Sequence, residues 1–162
     1  MSLVVPFDGS DLASAALARA VQFDSILDEG VLVISIVPVG NVDYAVARGW
    51  IDESDAFDRD RILAALRDRA TQIAPDAAFH YRLTDRYAPI GTIANQIRQF
   101  ARSNDASILF VGSENAGRIV RAVSVGQSVS ADRAYDTMIV SHPEPELVDR
   151  LRAGHDPSRP FE

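Results

Sequence analysis

A chain of 162 residues that is 47% hydrophobic is long enough to bury roughly 70% of its unfolded surface in one domain, without metal or disulfide support. The absence of cysteine excludes disulfides, iron–sulfur clusters and thiol catalysis. All 16 basic residues are arginine and the net charge is −7, so the sequence lacks the basic stripe that binding to nucleic acid requires.

The sequence shows neither a membrane span nor a secretion signal. No apolar run approaches the ~18 residues of a membrane span, and the first residues, MSLVVPFD, form no signal-like segment. We therefore expect a cytoplasmic protein without a membrane partner. The lysine-free, aspartate-rich composition fits either a halophilic protein in a salt-rich cytoplasm or high-GC codon bias.

The chain opens with a strand, a helix and a second strand. An apolar run over residues 3–7 predicts the first strand. Small and aliphatic residues at helical spacing predict a helix over residues 11–24, with Ser10 or Asp11 as its N-cap. A second apolar run predicts a strand over residues 31–37. Both strands are apolar throughout, which is typical of strands covered on both faces.

The middle of the chain is less regular. Residues 40–51 show no clear period and are expected to form a connecting segment. The acidic residues 52–55 suit a helix N-terminus, and the helix that follows is predicted to end at residue 73, before Pro75. Residues 77–83 alternate between apolar and polar, which predicts a half-exposed edge strand.

The second half of the chain continues the alternation of helix and strand. Its predicted helix, strand, polar loop, short helix and fifth strand cover residues 91–103, 107–111, 113–118, 126–135 and 137–141. Strands that alternate with helices require right-handed crossovers, so we predict an α/β fold with a doubly wound, five-stranded parallel sheet and helices on both faces. The domain is expected to span residues 1–142, and residues 143–162 form a proline-rich, charged tail.

Several polar and small residues fall where predicted strands end. Asp8, Ile36 and Gly112 lie at the carboxyl ends of three strands, the edge at which open α/β sheets bind ligands. Backbone N–H groups in the loop after Gly112 and at the start of the next helix can bind anions, especially phosphates. The sequence therefore predicts a phosphate-binding edge.

Two segments resemble the universal stress protein family. They are VVPFDGSDLASAALARAVQF, at residues 4–23, and VGSENAGRIVRAVSVGQSVSADRAYDTMIV, at residues 111–140. The resemblance spans about residues 3–141. It implies a Rossmann-like, adenine nucleotide alpha hydrolase-like fold and a small regulatory protein of the stress response. It also implies a homodimer with a bound adenine nucleotide, ATP or AMP, with or without Mg²⁺.

The second segment departs from the pattern G-x2-G-x9-G-[ST] of the ATP-binding members. Asn115 stands at the second glycine, and ten residues instead of nine separate it from Gly126. Gln127 stands at the hydroxyl position, and the candidates to supply the hydroxyl are Ser128, one residue later, and Ser124, two residues before Gly126. If the second glycine is needed for a left-handed backbone, Asn115 is the mildest replacement, whereas its side chain obstructs a phosphate that must approach closely.

The resemblance also implies roles for residues at the strand ends. Pro6 and Asp8 would line the base and ribose, and Ile36 would offer a backbone contact to the base. Val111 and Gly112 would lie beneath the sugar and phosphates, so we expect Gly112→Val to abolish binding by filling that space. Taken without the family, residues 8–10 are more often a turn and a helix cap than a ligand contact.

Two other classes of function stay open. One is a scaffold of the same fold that has lost the nucleotide and binds a protein partner whose identity the sequence does not reveal. The other is an adenine-nucleotide hydrolase, which the replacement of the expected SGGxDS loop by residues 8–11, DGSD, argues against. The three histidines lack metal-ligand spacing and no catalytic constellation is apparent, so we expect neither a catalytic residue nor a metal site.

The protein is predicted to form a homodimer through its fifth strand. Residues 138–140, Met-Ile-Val, carry neither charge nor proline, and the resemblance implies that this strand lies at a sheet edge, where pairing with a second copy satisfies its backbone groups. The alternative is that the tail, through apolar residues 147, 148 and 151, covers this edge within one chain.

Overall fold

A computed structural model describes residues 1–121 and 134–143 of the chain. Within these residues it contains five strands and five helices: β1 Ser2–Pro6, α1 Asp11–Leu27, β2 Val31–Pro38, α2 Val42–Ala47, α3 Arg59–Ile73, β3 Ala78–Thr84, α4 Ile90–Ser103, β4 Ala106–Gly112, α5 Ser113–Arg121 and β5 Asp136–Val140. The predicted helix over residues 126–135 falls largely outside the described residues, as does the tail from residue 144.

The five strands form one sheet in the order β3-β2-β1-β4-β5, and every neighbouring pair is parallel. This confirms the predicted parallel sheet. The chain winds outward from β1 to β3 and then returns to the other side of β1, so the winding direction reverses between β1 and β4. Such a reversal opens a crevice at the carboxyl ends of the two strands.

Helices cover both faces of the sheet. Leu3 and Val5 of β1 pack with α1 and α3 on one face, and Val4 packs with α4 and α5 on the other. These three side chains alternate because successive residues of a strand point to opposite faces, and all three are fully buried. The inner strands are apolar along most of their length because alternate side chains are buried in two separate cores, one on each face of the sheet.

The two edge strands are more exposed. Most residues of β3 are exposed or half-buried, which confirms the predicted edge strand. On the opposite edge, β5 pairs with β4 over residues 136–140, and Val140 is buried, whereas Ile139 is exposed. No helix among residues 1–121 and 134–143 is long and apolar enough to cross a membrane.

Helix α1 begins at the cap that the sequence suggests and extends beyond the predicted end. The Ser10 side chain accepts a hydrogen bond from the backbone N–H of Ala13 at 3.2 Å, so Ser10 and not Asp11 is the N-cap. The helix continues to Leu27 and ends at Asp28, whose φ of 51° is left-handed. Alanines on its inner face allow the helix to lie close to the sheet.

The predicted connecting segment over residues 40–51 contains a helix. Helix α2 has six residues, and the Asn41 side chain caps it by accepting from the Tyr44 N–H at 3.0 Å. Gly40 and Gly49, with φ of 78° and 71°, bracket this short helix. A helix of fewer than two turns shows no apolar period, which explains why the sequence pattern missed it.

Two further boundaries differ from the predictions. Helix α3 begins at Arg59 with Asp58 as its N-cap, so the acidic residues 52–55 precede the helix and do not start it. The predicted polar loop over residues 113–118 is instead the first part of α5, which follows β4 directly. Ala116 and Ile119 are buried on one face of α5. The burial of these two apolar residues favours a helix although the residues around them are polar.

Candidate functional site

A cleft opens at the carboxyl ends of β1 and β2, between α2, α4 and α5. It encloses about 600 Å³ including its open mouth, and its lining residues are Pro6, Phe7, Asp8, Ile34, Ile36, Tyr44, Arg48, Ile93, Ala94, Ile97, Asn115 and Ile119. Seven of these are aliphatic or proline, and the polar side chains come from the end of β1, from α2 and from α5. A mostly apolar cleft with a few polar groups is typical of small-molecule sites.

Asp8 is at the centre of the polar groups. Its Oδ1 accepts a hydrogen bond from the Ser10 N–H at 2.9 Å, which fixes the turn after β1. Its Oδ2 accepts from Nδ2 of Asn115 at 3.4 Å and lies 3.8 Å from Nε of Arg48. One carboxylate oxygen therefore serves the local turn, while the other belongs to the cleft.

The contact between Asp8 and Asn115 joins the end of β1 to the segment after β4. These two strands are the ones between which the winding reverses, so the contact lies across the crevice that the topology creates. The side chains of Asp8 and Arg48 keep 21% and 20% of their surface exposed. A ligand in the cleft can thus reach both charges without unfolding the surrounding elements.

The backbone around Asp8 is held in place by two side chains. Ser35 of β2 donates its buried hydroxyl to the Phe7 carbonyl oxygen at 2.6 Å. Trp50 donates its indole N–H to the Asp8 carbonyl oxygen, also at 2.6 Å. Gly9 then turns the chain into α1 with φ of 79°. The position of the Asp8 carboxylate therefore depends on residues from three separate segments.

Tyr44 of α2 and Arg48, the C-cap residue that follows this helix, also line the cleft, and neither was predicted from the sequence. The Arg48 guanidinium lies over the Tyr44 ring, with Cζ 3.5 Å from the ring centroid. The Tyr44 ring in turn contacts the Trp50 ring at a centroid distance of 5.6 Å. The spacing of four between Tyr44 and Arg48 places them on one side of a helix, but it gives a signal only once α2 is identified.

The residues predicted for the site separate into three groups. Pro6, Asp8, Ile36 and Asn115 line the same cleft. Val111 and Gly112 do not line it. The Val111 side chain is buried in the core formed with α4 and α5, and Gly112 lies against Leu12 of α1. The remaining predicted residues, Gly126, Gln127 and Ser128, lie outside the described residues.

The structure gives a different steric reason for an effect of Gly112→Val. A Cβ atom at Gly112 would lie 2.8 Å from Cβ of Leu12 and 3.2 Å from its carbonyl carbon. Gly112 is therefore needed for the close approach of β4 to the start of α1. A side chain at this position would enter the contact between β4 and α1.

Asn115 lies in α5 with a helical backbone. Among the non-glycine residues of the described part of the chain, only Asp28 and Asp105 have positive φ. In the ATP-binding pattern a glycine stands at this position, but here the backbone is not left-handed, so a left-handed conformation is not what Asn115 has to provide. What Asn115 changes is the side chain, whose amide extends to Asp8 in the cleft.

No group of three or more histidine, aspartate or glutamate side chains within residues 1–121 and 134–143 is arranged to hold a metal ion.

The Arg48 side chain has one buried nitrogen, Nε, that forms no hydrogen bond among the described residues. The polar side chains of the cleft are one carboxylate, one guanidinium, one amide and the phenol of Tyr44.

A parallel sheet in this strand order, with a cleft at the point where the winding reverses, defines the class of doubly wound, Rossmann-like α/β proteins. The sequence model described as the Universal stress protein family matches residues 1–140. The chain belongs to this family. None of the curated protein sequences matches the chain.

Solved structures show the same fold. A universal stress protein in complex with cAMP is 22% identical with a TM-score of 0.51, over 89% of this chain and 98% of that chain. The universal stress protein from Archaeoglobus fulgidus in complex with dAMP is 20% identical with a TM-score of 0.52, over 87% and 98%. A family protein from Burkholderia pseudomallei is 18% identical with a TM-score of 0.50, over 87% and 96%.

Proposed function

We propose that this chain is a small regulatory protein that binds an adenine nucleotide in the cleft beside Asp8. The observation that carries the proposal is the Asp8 carboxylate, which lies at the reversal point of the sheet with one oxygen in a mostly apolar cleft. Two proteins of similar fold are complexes with cAMP and dAMP, which supports an adenine nucleotide as the ligand class.

The residues of the cleft fit the nucleoside part of such a ligand. Ile36, Ile97 and Ile119 provide an apolar surface for a planar base. A carboxylate only accepts hydrogen bonds, so Asp8 suits the hydroxyl groups of a ribose. The same negative charge repels phosphates, and we infer that these point away from Asp8. ATP and Mg²⁺ are part of the proposal as ligands to be tested.

A nucleotide-free scaffold is the second candidate, and one observation favours it. The oxygen of Asp8 that belongs to the cleft already has Asn115 and Arg48 beside it. A ligand must compete with both groups for this carboxylate. If the competition fails, the fold acts by binding a protein partner, and nucleotide does not regulate it.

Calorimetry on the full chain separates the two candidates. AMP, ADP, ATP and cAMP are titrated with and without Mg²⁺, and we expect saturable heat with at least one of them. Asp8→Asn keeps the size of the side chain but removes its charge, and it should weaken binding by about tenfold or more, since a hydrogen bond to a charged group contributes about 1.5–3 kcal/mol.

The matched control is Asp105→Asn, which makes the same chemical change immediately before β4, at the amino ends of the strands and so at the end of the sheet opposite to the cleft. Its affinity should equal that of the unmodified chain. No heat with any nucleotide would assign the protein to the scaffold class. Unchanged affinity in Asp8→Asn would place the nucleotide elsewhere on the molecule.

We also infer that the protein is a homodimer through β5. This strand is at the end of the sheet order and pairs with β4 along one side. Its central residues, Met138-Ile139-Val140, carry no charge, and Ile139 is 51% exposed. An uncharged, exposed edge strand favours pairing with another strand, and a second copy related by a two-fold axis provides one.

A further inference from the structure

Three side chains, those of Trp50, Tyr44 and Arg48, contact one another in a column beside the cleft. Trp50 is at its base, where its indole N–H donates to the Asp8 carbonyl oxygen. The Tyr44 ring lies 5.6 Å from the Trp50 ring, inclined by 60°. Above Tyr44 lies the Arg48 guanidinium, with Cζ 3.5 Å from the ring centroid. Tyr44 and Arg48 both line the cleft, so the guanidinium is the last member of the column on that side.

The Arg48 side chain lies against the Tyr44 ring, and its buried Nε forms no hydrogen bond in the described part of the chain. Oδ2 of Asp8, at 3.8 Å from this Nε, is beyond hydrogen-bond distance. The Arg48 Cζ lies 3.5 Å from the centroid of the Tyr44 ring, which is van der Waals contact. Arg48 is also four-fifths buried, so its plane is set in one orientation before any ligand enters.

We propose that the Arg48 guanidinium is the platform on which the base of the bound nucleotide stacks, which extends the column from Trp50 through Tyr44 and Arg48 to the base. This inference rests on the proposed function and names the residue that recognises the planar part of the ligand. Guanidinium groups are planar and weakly hydrated, and nucleic-acid bases stack on them in proteins. The aliphatic residues of α4 and β2 are available to cover the other face of the base.

The neighbouring carboxylate argues against a different role for Arg48. An arginine that serves to bind a phosphate is most effective when its charge is free, whereas here Asp8 lies within ion-pair distance. The pair is close to neutral together, so the plane of the guanidinium is what it offers to a ligand. A hydroxyl of the same ligand can then reach Asp8 from the side.

Two substitutions separate the plane from the charge. Arg48→Lys keeps the charge and loses the plane, while Arg48→Gln keeps a small planar amide and loses the charge. Affinities for adenosine and AMP are measured by calorimetry, and Trp50, the single tryptophan of the chain, reports on the column by its fluorescence. We expect Arg48→Lys to lose roughly tenfold for adenosine and for AMP alike, and Arg48→Gln to lose less.

The control is Arg67→Lys, because Arg67 of α3 also lies over a ring, that of Phe79, but outside the cleft. Its affinities should be unchanged, and the melting temperatures of all variants should lie close to that of the unmodified chain. A loss for AMP without a loss for adenosine would make Arg48 a phosphate ligand and overturn the proposal. So would an Arg48→Lys variant that binds adenosine as well as Arg48→Gln does.

The outcome for the unmodified chain distinguishes this proposal from the one on which it rests. If the unmodified chain binds no adenine nucleotide, the proposed function fails and stacking on Arg48 fails with it. If the unmodified chain binds adenosine and both Arg48 variants bind adenosine as tightly as it does, the proposed function stands and stacking on Arg48 is refuted. A lowered melting temperature together with weaker binding would show that Arg48 only positions α2.

Discussion

A single glycine determines how closely the end of β4 approaches α1. A Cβ at Gly112 would lie 2.8 Å from Cβ of Leu12, a distance at which the helix or the strand must move. We therefore expect Gly112→Val to lower the free energy of unfolding by about 1–3 kcal/mol through overpacking, and Gly112→Ala to lower it less. Thermal and urea unfolding measure the difference.

Gly91 in α4 provides the control, because a Cβ at this position meets nothing within 4 Å. Gly91→Ala should be neutral or should raise stability by up to about 1 kcal/mol, since alanine is the better helix former. A Gly112→Val variant as stable as the unmodified chain would contradict this account of the close approach. If Gly112→Val is less stable and also loses nucleotide binding, displacement of α1 explains the loss of binding.

At the scale of the elements, the proposed dimer depends on the edge strand β5. Ile139 is exposed, while its neighbours Met138 and Val140 pack toward α1. A charge at Ile139 therefore leaves the core intact but opposes strand pairing, since two copies of the edge would bring like charges together. We expect Ile139→Asp to be a folded monomer, and light scattering with circular dichroism measures both properties.

Tyr81→Asp is the matched control, because Tyr81 is 44% exposed on β3, the opposite edge of the same sheet. This variant should stay dimeric. The alternative, in which the tail covers β5, predicts the reverse for the unmodified chain: a monomer at micromolar concentration that becomes a dimer once residues 143–162 are removed. That result would overturn the dimer through β5.

At the scale of the whole molecule, the net charge of −7 opposes folding. Three of the ion pairs in the described part of the chain are exposed, among them Arg59–Asp60 and Arg69–Asp11, and such pairs contribute little. Salt shortens the screening length from ~10 Å at 0.1 M to ~3 Å at 1 M, so it weakens the repulsion more than it weakens these pairs.

We therefore expect the melting temperature to rise between 0.1 M and 1 M KCl. Chloride isolates screening better than sulfate does, because sulfate also strengthens apolar burial. A melting temperature that does not change over this range would favour codon bias as the origin of the arginine and aspartate content. A rise would support adaptation to a salt-rich cytoplasm.

The sequence by itself determined the elements whose pattern is local. Continuous apolar runs identified the inner strands, alternation identified β3 as an edge, and Ser10 marked the start of α1. Burial of one face gives apolar residues a period of two in half-exposed strands and of 3.6 in helices. Strands that are covered on both faces show an unbroken apolar run instead. Each of these patterns can be recognised along the sequence. The alternation of strands and helices then led to the parallel sheet.

Tertiary structure decided what depends on neighbours that are distant in sequence. The Asp8–Asn115 contact joins residues 107 apart, and it exists only because β4 lies beside β1 in the sheet. Helix α2 is too short for a period, so its Tyr44 and Arg48 become part of the site only when the sheet brings α2 to the end of β1. Gly112 likewise owes its role to the packing of α1. A local pattern records which face of an element is buried, but it does not record what that face meets.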